Sequence, residues 1–426
     1  MTKFFIETFG CTANTSASEL MSFLLSECGY EKINSIEQAD FVVVNTCIVK
    51  APTESKIKNL LNVLNKKIPL IVTGCLPQVL IDWCHENIPS AALLGVDHFG
   101  DVCLAAQKLL SGELFELLSR DNIFCKEVQR DRDWKYTGII EISKGCSGQC
   151  AYCIVKIAKG PLVSKPESQI LSEAKNALME GCKEIWLTAQ DTASYGYDIN
   201  SNLPKVVQNL TALPGDFMIR IGMMNIDFAL KIIDEIIEFL KQPKVYAFLH
   251  IPIQTGSNRI LEKMKRKYTI EQFWELYEKL RSIPELTLST DIITGFPGET
   301  DEDFRKTKEL LHAAAFDIVN ISKYGDRKGT LASKSTEKIP TEIRKERSRE
   351  LTIIQNEISL QRNRKWLGWE GKALALRQDN DNIGILFRNK AYKTIVVKNP
   401  VIQIGNWYKV KIIAAQKTRL VGKLID

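Results

Sequence analysis

The sequence predicts an α/β protein in three parts: an N-terminal open parallel sheet, a partial (β/α)6 barrel, and a small C-terminal β-barrel of the OB kind. Three observations predict it. Short apolar runs alternate with helical stretches over residues 1–110. Six more strand-then-helix units follow from residue 138. From residue 366 onward only short β-type runs remain, separated by turn residues.

In the first part, residues 4–9, 41–44, 70–73 and 91–96 are short runs rich in Val, Ile, Leu and Phe and read as strands. Residues 19–27, 53–66 and 77–86 read as the connecting helices. A polar linker, 111–135, leads to the core at 136–340. There the strands are 138–143, 184–188, 217–221, 247–251, 289–294 and 318–322, with helices 167–179, 228–240, 270–281 and 300–314 among the connections. Six units are too few for the closed eight-stranded barrel, and parallel strands place chemistry at their C-terminal ends. Residues 341–365 form a charged helical connector. The last part, 366–426, carries strands at 372–376, 384–387, 393–397, 407–412 and 419–424.

Composition narrows the function. No apolar run is long enough to span a bilayer, and the N-terminus Met1-Thr2-Lys3-Phe4-Phe5-Ile6-Glu7 reads as a first strand, not a leader; the cytoplasm is the expected compartment, with no membrane role. The 426 residues carry a net charge of +6. Residues 366–426 hold eleven Lys and Arg against four Asp and Glu, a local +7, so the rest is near −1. A basic module on a neutral body points to a polyanionic partner. Eleven cysteines against four histidines argue against zinc and against a disulfide framework, and favour iron–sulfur ligation.

Two sets of three cysteines carry the chemistry. In Lys144-Gly145-Cys146-Ser147-Gly148-Gln149-Cys150-Ala151-Tyr152-Cys153 a C-x3-C-x2-C loop directly follows a strand. Three thiolates on so short a loop hold three corners of a cubane and leave the fourth iron open. The spacing resembles the signature of radical S-adenosylmethionine enzymes. Cys11, Cys47 and Cys75 each follow a different strand of the first sheet, and the ends of parallel strands meet at one crevice. They read as ligands of a second cluster. Cys28, Cys84, Cys103, Cys125 and Cys182 show no such pattern and read as packing or surface residues.

With both sets in place the chain resembles the methylthiotransferase family from end to end. The supporting stretches are Thr8-Phe9-Gly10-Cys11, Asn45-Thr46-Cys47, Gly74-Cys75, Leu187-Thr188-Ala189-Gln190-Asp191-Thr192, Leu249-His250-Ile251-Pro252-Ile253-Gln254-Thr255-Gly256-Ser257 and Asp291-Ile292-Ile293-Thr294-Gly295-Phe296-Pro297-Gly298-Glu299-Thr300. Cys153-Ile154-Val155-Lys156-Ile157-Ala158-Lys159-Gly160 and Arg220-Ile221-Gly222-Met223-Met224-Asn225 look most like the archaeal and eukaryotic branch. That branch modifies threonylcarbamoyladenosine at position 37 of transfer RNA. One stretch departs from the family: Tyr324-Gly325-Asp326-Arg327-Lys328-Gly329-Thr330, where relatives carry Ser and Pro around the Arg.

The resemblance implies two [4Fe-4S] clusters, S-adenosylmethionine, and a C-terminal TRAM domain that grips RNA. It implies that one cofactor molecule methylates a sulfur on the auxiliary cluster and another supplies the radical that takes hydrogen from C2 of the adenine. Strand order places Gln190, Arg220, Gln254, Ser257, Asp291 and Gly295 as the cofactor contacts, Gly295 by letting the backbone approach adenosine. Arg388, Lys390, Lys393, Lys409, Lys411, Lys417 and Arg419 are the expected phosphate contacts to the anticodon stem-loop. Trp366, Trp369 and Trp407 are read as barrel core in preference to base-stacking residues. The alternative substrates are isopentenyladenosine in transfer RNA and an aspartate of a ribosomal protein. The sequence identifies neither the sulfur donor nor the reductant, and a monomer is expected.

Overall fold

In a computed structural model the described residues are 1–121, 124–125, 129–379, 384–398 and 402–425. Within the expected linker, 122–123 and 126–128 lie outside them. The first sheet is all parallel, in the order Glu31–Lys32, Lys3–Thr8, Phe41–Thr46, Leu70–Gly74, Ala92–Leu94, Glu116–Leu117. Phe41–Thr46 and Leu70–Gly74 are buried throughout, as central strands covered on both faces must be. The two-residue outer strands and the helix Val102–Leu110 were not expected. The first helix starts seven residues before the expected point, directly after Cys11, and runs Thr12–Glu27. The helix expected over 77–86 is two, Cys75–Val79 and Ile81–Asn87, broken where Leu80 leaves helical geometry.

The core strands match the expected six. Thr137–Glu141, Glu184–Thr188 and Met218–Ile221 form one parallel set; Phe248–His250, Thr287–Thr294 and Ile318–Lys323 form another. A bridge between Ile219 and Val245 joins the sets into one open arc. Alternation along the strands sorts the two faces. Ile185, Leu187, Ile219, Ile221 and Leu249 pack with the surrounding helices. Ile139, Trp186, Met218, Tyr246 and Phe248 form a separate cluster on the other, concave face. The helix expected over 228–240 is divided by a 3-10 turn at Leu230–Ile232.

The connector is one helix, Thr341–Arg364. Beyond it a closed five-stranded barrel runs Glu370–Gln378, Ile385–Asn389, Thr394–Val397, Leu420–Leu424, Trp407–Ala415. Trp366 and Trp369 pack in its core, as expected. Tyr392 leaves the small barrel and joins Trp186, Tyr246 and Phe248 on the concave face of the core.

One cysteine pair corrects the sequence reading: Cys28 and Cys103 form a disulfide, with Cα atoms 6.4 Å apart. Cys28 caps the helix Thr12–Glu27 and Cys103 lies in the first turn of the adjacent helix Val102–Leu110, a proximity that sequence separation hides. Cys84 and Cys182 are buried packing residues and Cys125 is partly covered.

Candidate active site

The loop after Thr137–Glu141 is held by its backbone. Gly145 has φ +72°, and a Cβ there would lie 1.7 Å from the Pro161 carbonyl oxygen. Ala151 N–H donates to the Met264 carbonyl at 2.9 Å, and Ala332 N–H to that of Ala151 at 2.8 Å. Gly148 is the cradle between thiols: a Cβ on it would meet Cys146 Sγ at 3.2 Å and Cys150 Sγ at 3.8 Å. Burial pushes the Cys146 thiol up to about 11 and raises Cys153 as well. Such thiols are poor free nucleophiles, and they become ligands when iron displaces the proton. Among the described residues no three His, Cys, Asp or Glu close around a single ion. A cubane, with one thiolate on each of several irons, spreads its ligands farther apart, and the three thiols of this loop fit a cluster with one open iron.

We expect Gly145→Ala to disorder this loop, because no rotation of a Cβ relieves a contact with backbone. Iron bound per chain should fall by about half, and 5′-deoxyadenosine formation should be lost. Normal 5′-deoxyadenosine formation would show that the loop tolerates the change.

The second set comes together as the strand ends dictate. Thr8 pairs with Asn45 and Thr46 with Gly74, so the loops carrying Cys11, Cys47 and Cys75 leave the sheet side by side. Gly10, at φ +115°, lies against Cys47; a Cβ there would sit 2.6 Å from Cys47 Cβ. Asn14 Nδ2 donates to the carbonyls of Phe9 and Thr46, and Asn45 Nδ2 to that of Asn14. Leu76 N–H donates to Thr46 Oγ1 at 2.9 Å. These bonds lace the three loops together. Burial, helped by the charges of Cys47 and Cys11 and opposed by that of Lys159, takes the Cys75 thiol up to about 12.

The auxiliary site faces the barrel mouth. Thr12, next to Cys11, shares a 2.7 Å hydrogen bond with Thr188, the last residue of the second barrel strand. The helix Val155–Lys159, directly after the Cys153 loop, packs on Cys75–Val79. Ile154 and Ala158 share an apolar cluster with Cys47, Ile48, Cys75 and Leu76. Lys159 Nζ donates to Glu141 at 3.0 Å with its side chain almost wholly buried, within electrostatic reach of Cys11 and Cys75. The sequence assigns this pair no role: Lys159 stands only within the branch-like stretch 153–160 and Glu141 only within the strand 138–143. A second missed group is Arg266, which donates to Tyr152 and Asn225, each at 2.6 Å, behind the Cys150 side of the first loop.

The expected cofactor contacts divide. Gln190 is half-buried at the mouth and its Oε1 has no partner. Arg220 lies on the concave face with its guanidinium 4.9 Å from the Trp186 ring, 5.2 Å from Phe248 and 5.7 Å from Tyr392, and its Nε is buried without a partner. Asp291 accepts from His250 Nε2 at 2.9 Å and Asn320 at 2.8 Å, and these bonds hold its carboxyl below the usual range against the opposing effect of burial. Of the other three, Ser257 and Gly295 are structural, and Gln254 is fixed by its backbone. The backbone of Gln254 pairs with Asp291 and Ile293. Ser257 caps the helix Asn258–Lys263 and donates to Asp303 at 2.6 Å. The space over Gly295 is filled by Arg344, whose Cγ a Cβ there would meet at 2.1 Å, so no adenosine reaches that backbone.

Three expected phosphate contacts also prove structural. Lys393 is buried and donates to Asp317 at 2.8 Å. Lys390 donates to the carbonyls of Gln242 and Val245 beyond the helix Ile233–Lys241. Arg388 stacks 4.3 Å from the Tyr392 ring and donates to its carbonyl. Lys390 and Lys393 thus bind core groups across the joint between the two barrels, and Arg388 is held within the small barrel. Lys409 and Lys417 are exposed on the outer face; Lys411 and Arg419 are partly covered there and pair with Glu370 and Asp379.

Comparison with known proteins agrees with this geometry. Residues 140–311 match the Radical SAM superfamily, and residues 3–95 match the Uncharacterized protein family UPF0004. The chain is 40% identical to the probable threonylcarbamoyladenosine tRNA methylthiotransferase of Pyrococcus horikoshii, over 100% of both chains. It is 32% identical to the threonylcarbamoyladenosine tRNA methylthiotransferase of Homo sapiens, covering 100% of this chain and 74% of that one. Among solved structures, the radical S-adenosylmethionine methyltransferase TsrM from Kitasatospora setae shares the fold at a TM-score of 0.58 and 13% identity, over 78% of this chain and 77% of that one. The chain therefore belongs to the threonylcarbamoyladenosine tRNA methylthiotransferases, a family of radical S-adenosylmethionine enzymes.

Proposed function

We propose that this chain transfers a methylthio group to C2 of N6-threonylcarbamoyladenosine at position 37 of transfer RNA, acting as a monomer in the cytoplasm on the anticodon stem-loop. Among the described residues no helix is long and apolar enough to cross a membrane. The observation that carries the reading is the Thr12–Thr188 bond, which sets the Cys11, Cys47 and Cys75 site over the mouth that also holds Cys146, Cys150 and Cys153. Transfer of sulfur to an unactivated C–H carbon needs a radical source and a sulfur source facing one substrate, and the Thr12–Thr188 bond supports that arrangement of the two cysteine sets.

Cys146, Cys150 and Cys153 would hold the cluster that activates S-adenosylmethionine, and Cys11, Cys47 and Cys75 the one that carries sulfur. When bound, these groups supply the 5′-deoxyadenosyl radical and the transferred methylthio group. The rest is done by side chains. Gln190, with an unsatisfied acceptor, and Arg220, with an unsatisfied donor, stand ready on the concave face for polar groups of the cofactor. Trp186, Phe248 and Tyr392 close the floor beneath them and exclude water. Lys159 neutralises Glu141 and places positive charge beside the Cys11–Cys75 site. The target base must turn out of its loop to enter this cleft. Lys409, Lys411, Lys417 and Arg419 would hold the RNA backbone by contacts that weaken with salt.

Nucleoside mass spectrometry tests the proposal in a host without its own methylthiotransferases, grown with and without this chain. We expect 2-methylthio-threonylcarbamoyladenosine to appear. A methylthio group on isopentenyladenosine would reassign the substrate. No new nucleoside, with both clusters loaded and the precursor present, would move the activity to a ribosomal-protein aspartate.

A further inference from the structure

The segment that departs from the family pattern, 324–330, is a strap stretched across the segments that leave both cysteine sites. Arg327, buried, donates to Glu54 at 2.9 Å and to the Val49 carbonyl at 3.0 Å, two residues beyond Cys47. A Cβ on Gly329 would sit 3.3 Å from Ile157 Cδ1, four residues beyond Cys153. Ala332 N–H then bonds the Ala151 carbonyl, between Cys150 and Cys153. The buried bonds of Arg327 and the Ala332–Ala151 bond thus anchor the strap on either side of Gly329.

What it presents outward is unusual for a soluble surface. Val49 is 48% exposed, Ile157 37% and Leu331 52%, grouped around the strap. The acids of this rim are taken: Glu54 by Arg327 and Lys58, Asp326 by Lys338. Two exposed cations, Lys50 and Lys328, make no side-chain hydrogen bond or ion pair among the described residues. Lys50 stands at the start of the helix Ala51–Leu64, across from Asp291. An apolar ledge edged by exposed positive charge suits a ligand with flat apolar faces and a negative backbone, which is single-stranded RNA. Covalent continuity adds to this: a base in the cleft drags its neighbours to the rim.

We propose that Val49, Ile157 and Leu331 form a platform for the nucleotides flanking the modified adenosine, with Lys50 and Lys328 holding their phosphates. The proposal rests on transfer RNA being the substrate. The strap then sets how the target base is presented to both cysteine sites at once, a task separate from the grip of the C-terminal barrel.

The test is binding of a labelled anticodon stem-loop RNA carrying threonylcarbamoyladenosine to the full chain with reconstituted clusters, followed by fluorescence anisotropy across salt concentrations. Leu331→Asp should weaken binding about tenfold, since it removes the apolar contact of one aliphatic side chain buried by a base and its carboxylate repels phosphate. Lys328→Glu, a change at an exposed position that carries no packing, should weaken binding several-fold and lower the salt slope by about 1. Leu114→Asp, at an exposed leucine remote from the strap, serves as the control for added charge. Iron content and melting temperature report on folding of each variant. Binding within about twofold of the parent for both Leu331→Asp and Lys328→Glu, with iron content intact, overturns the platform. So does a loss confined to reduction by a protein electron donor, which would make the ledge a protein-docking face. Absence of RNA binding by the parent chain itself would instead strike at the transfer RNA reading.

Discussion

Cys75→Ala is expected to abolish methylthio product while 5′-deoxyadenosine formation persists. The side chain opens the helix Cys75–Val79, is 5% exposed, and packs beside Cys47, Ile48 and Leu76. Ala keeps the helix start and removes only the sulfur, so the sheet and its neighbours should fold with a loss of about 1 kcal/mol. The auxiliary site is left with two thiols, too few to hold a cubane, and bound iron should fall by about half. The distant Cys146 set is untouched. The decisive readout is therefore the split between two products in one reaction. Methylthio nucleoside made by Cys75→Ala at the parent rate would remove Cys11, Cys47 and Cys75 from the mechanism. Loss of both products would mean that the two sites fold as one unit through the helix Val155–Lys159. Loading should also depend on pH. The Cys75 thiol is raised to about 12, so iron must displace its proton, and reconstitution should weaken as pH falls.

The strand ends bearing cysteines were legible because two independent patterns coincide there: an apolar run of strand length, and a thiol in the residues after it. The start of the first helix was not. Its buried face carries Asn14, Ser16 and Ser18 ahead of the expected helix and Glu19 and Ser22 within it, all of them polar. They are buried because they bond to other elements, not because they are apolar: Ser18 meets Thr8 and Asn45, Ser16 bonds the Ile139 carbonyl, and Ser22 meets Asp131. Hydropathy cannot report such a face. The basic C-terminal residues failed for the opposite reason. A charge count treats every lysine as exposed, whereas Lys390 ends on backbone carbonyls and Lys393 on a buried carboxylate. Gly295 shows the same limit, since a positive φ reveals backbone freedom but not which neighbour uses the space.

That buried carboxylate, Asp317, leads to the other large expected effect: Asp317→Ala should detach the small barrel from the core. Asp317 precedes the strand Ile318–Lys323 and gathers three parts of the chain. It accepts from the Leu288 N–H at 3.0 Å, from Arg362 of the connector helix at 3.1 and 3.2 Å, and from Lys393 of the small barrel at 2.8 Å. Arg281 approaches to 4.0 Å. Removing the carboxylate leaves buried cations facing one another, a change that costs about 3–5 kcal/mol. These cations hold the Asp317 carboxyl below the usual carboxylate range although burial opposes them. A depressed folded-state value means that its stabilisation is full above the unfolded value near pH 4 and is lost as pH falls through the folded one. The parent should therefore show an acid-induced loosening that Asp317→Asn abolishes, since Asn carries no proton to gain. Trypsin sensitivity around the connector, followed against pH, measures this directly. The functional consequence follows from position: Lys409, Lys411, Lys417 and Arg419 keep their surface, but their bearing on the barrel mouth is lost. Asp317→Ala should then retain 5′-deoxyadenosine formation while methylthio product drops steeply. Unchanged protease sensitivity together with normal product would show that Tyr392, wedged among Trp186, Tyr246 and Phe248, is enough to hold the two barrels together without the ion cluster.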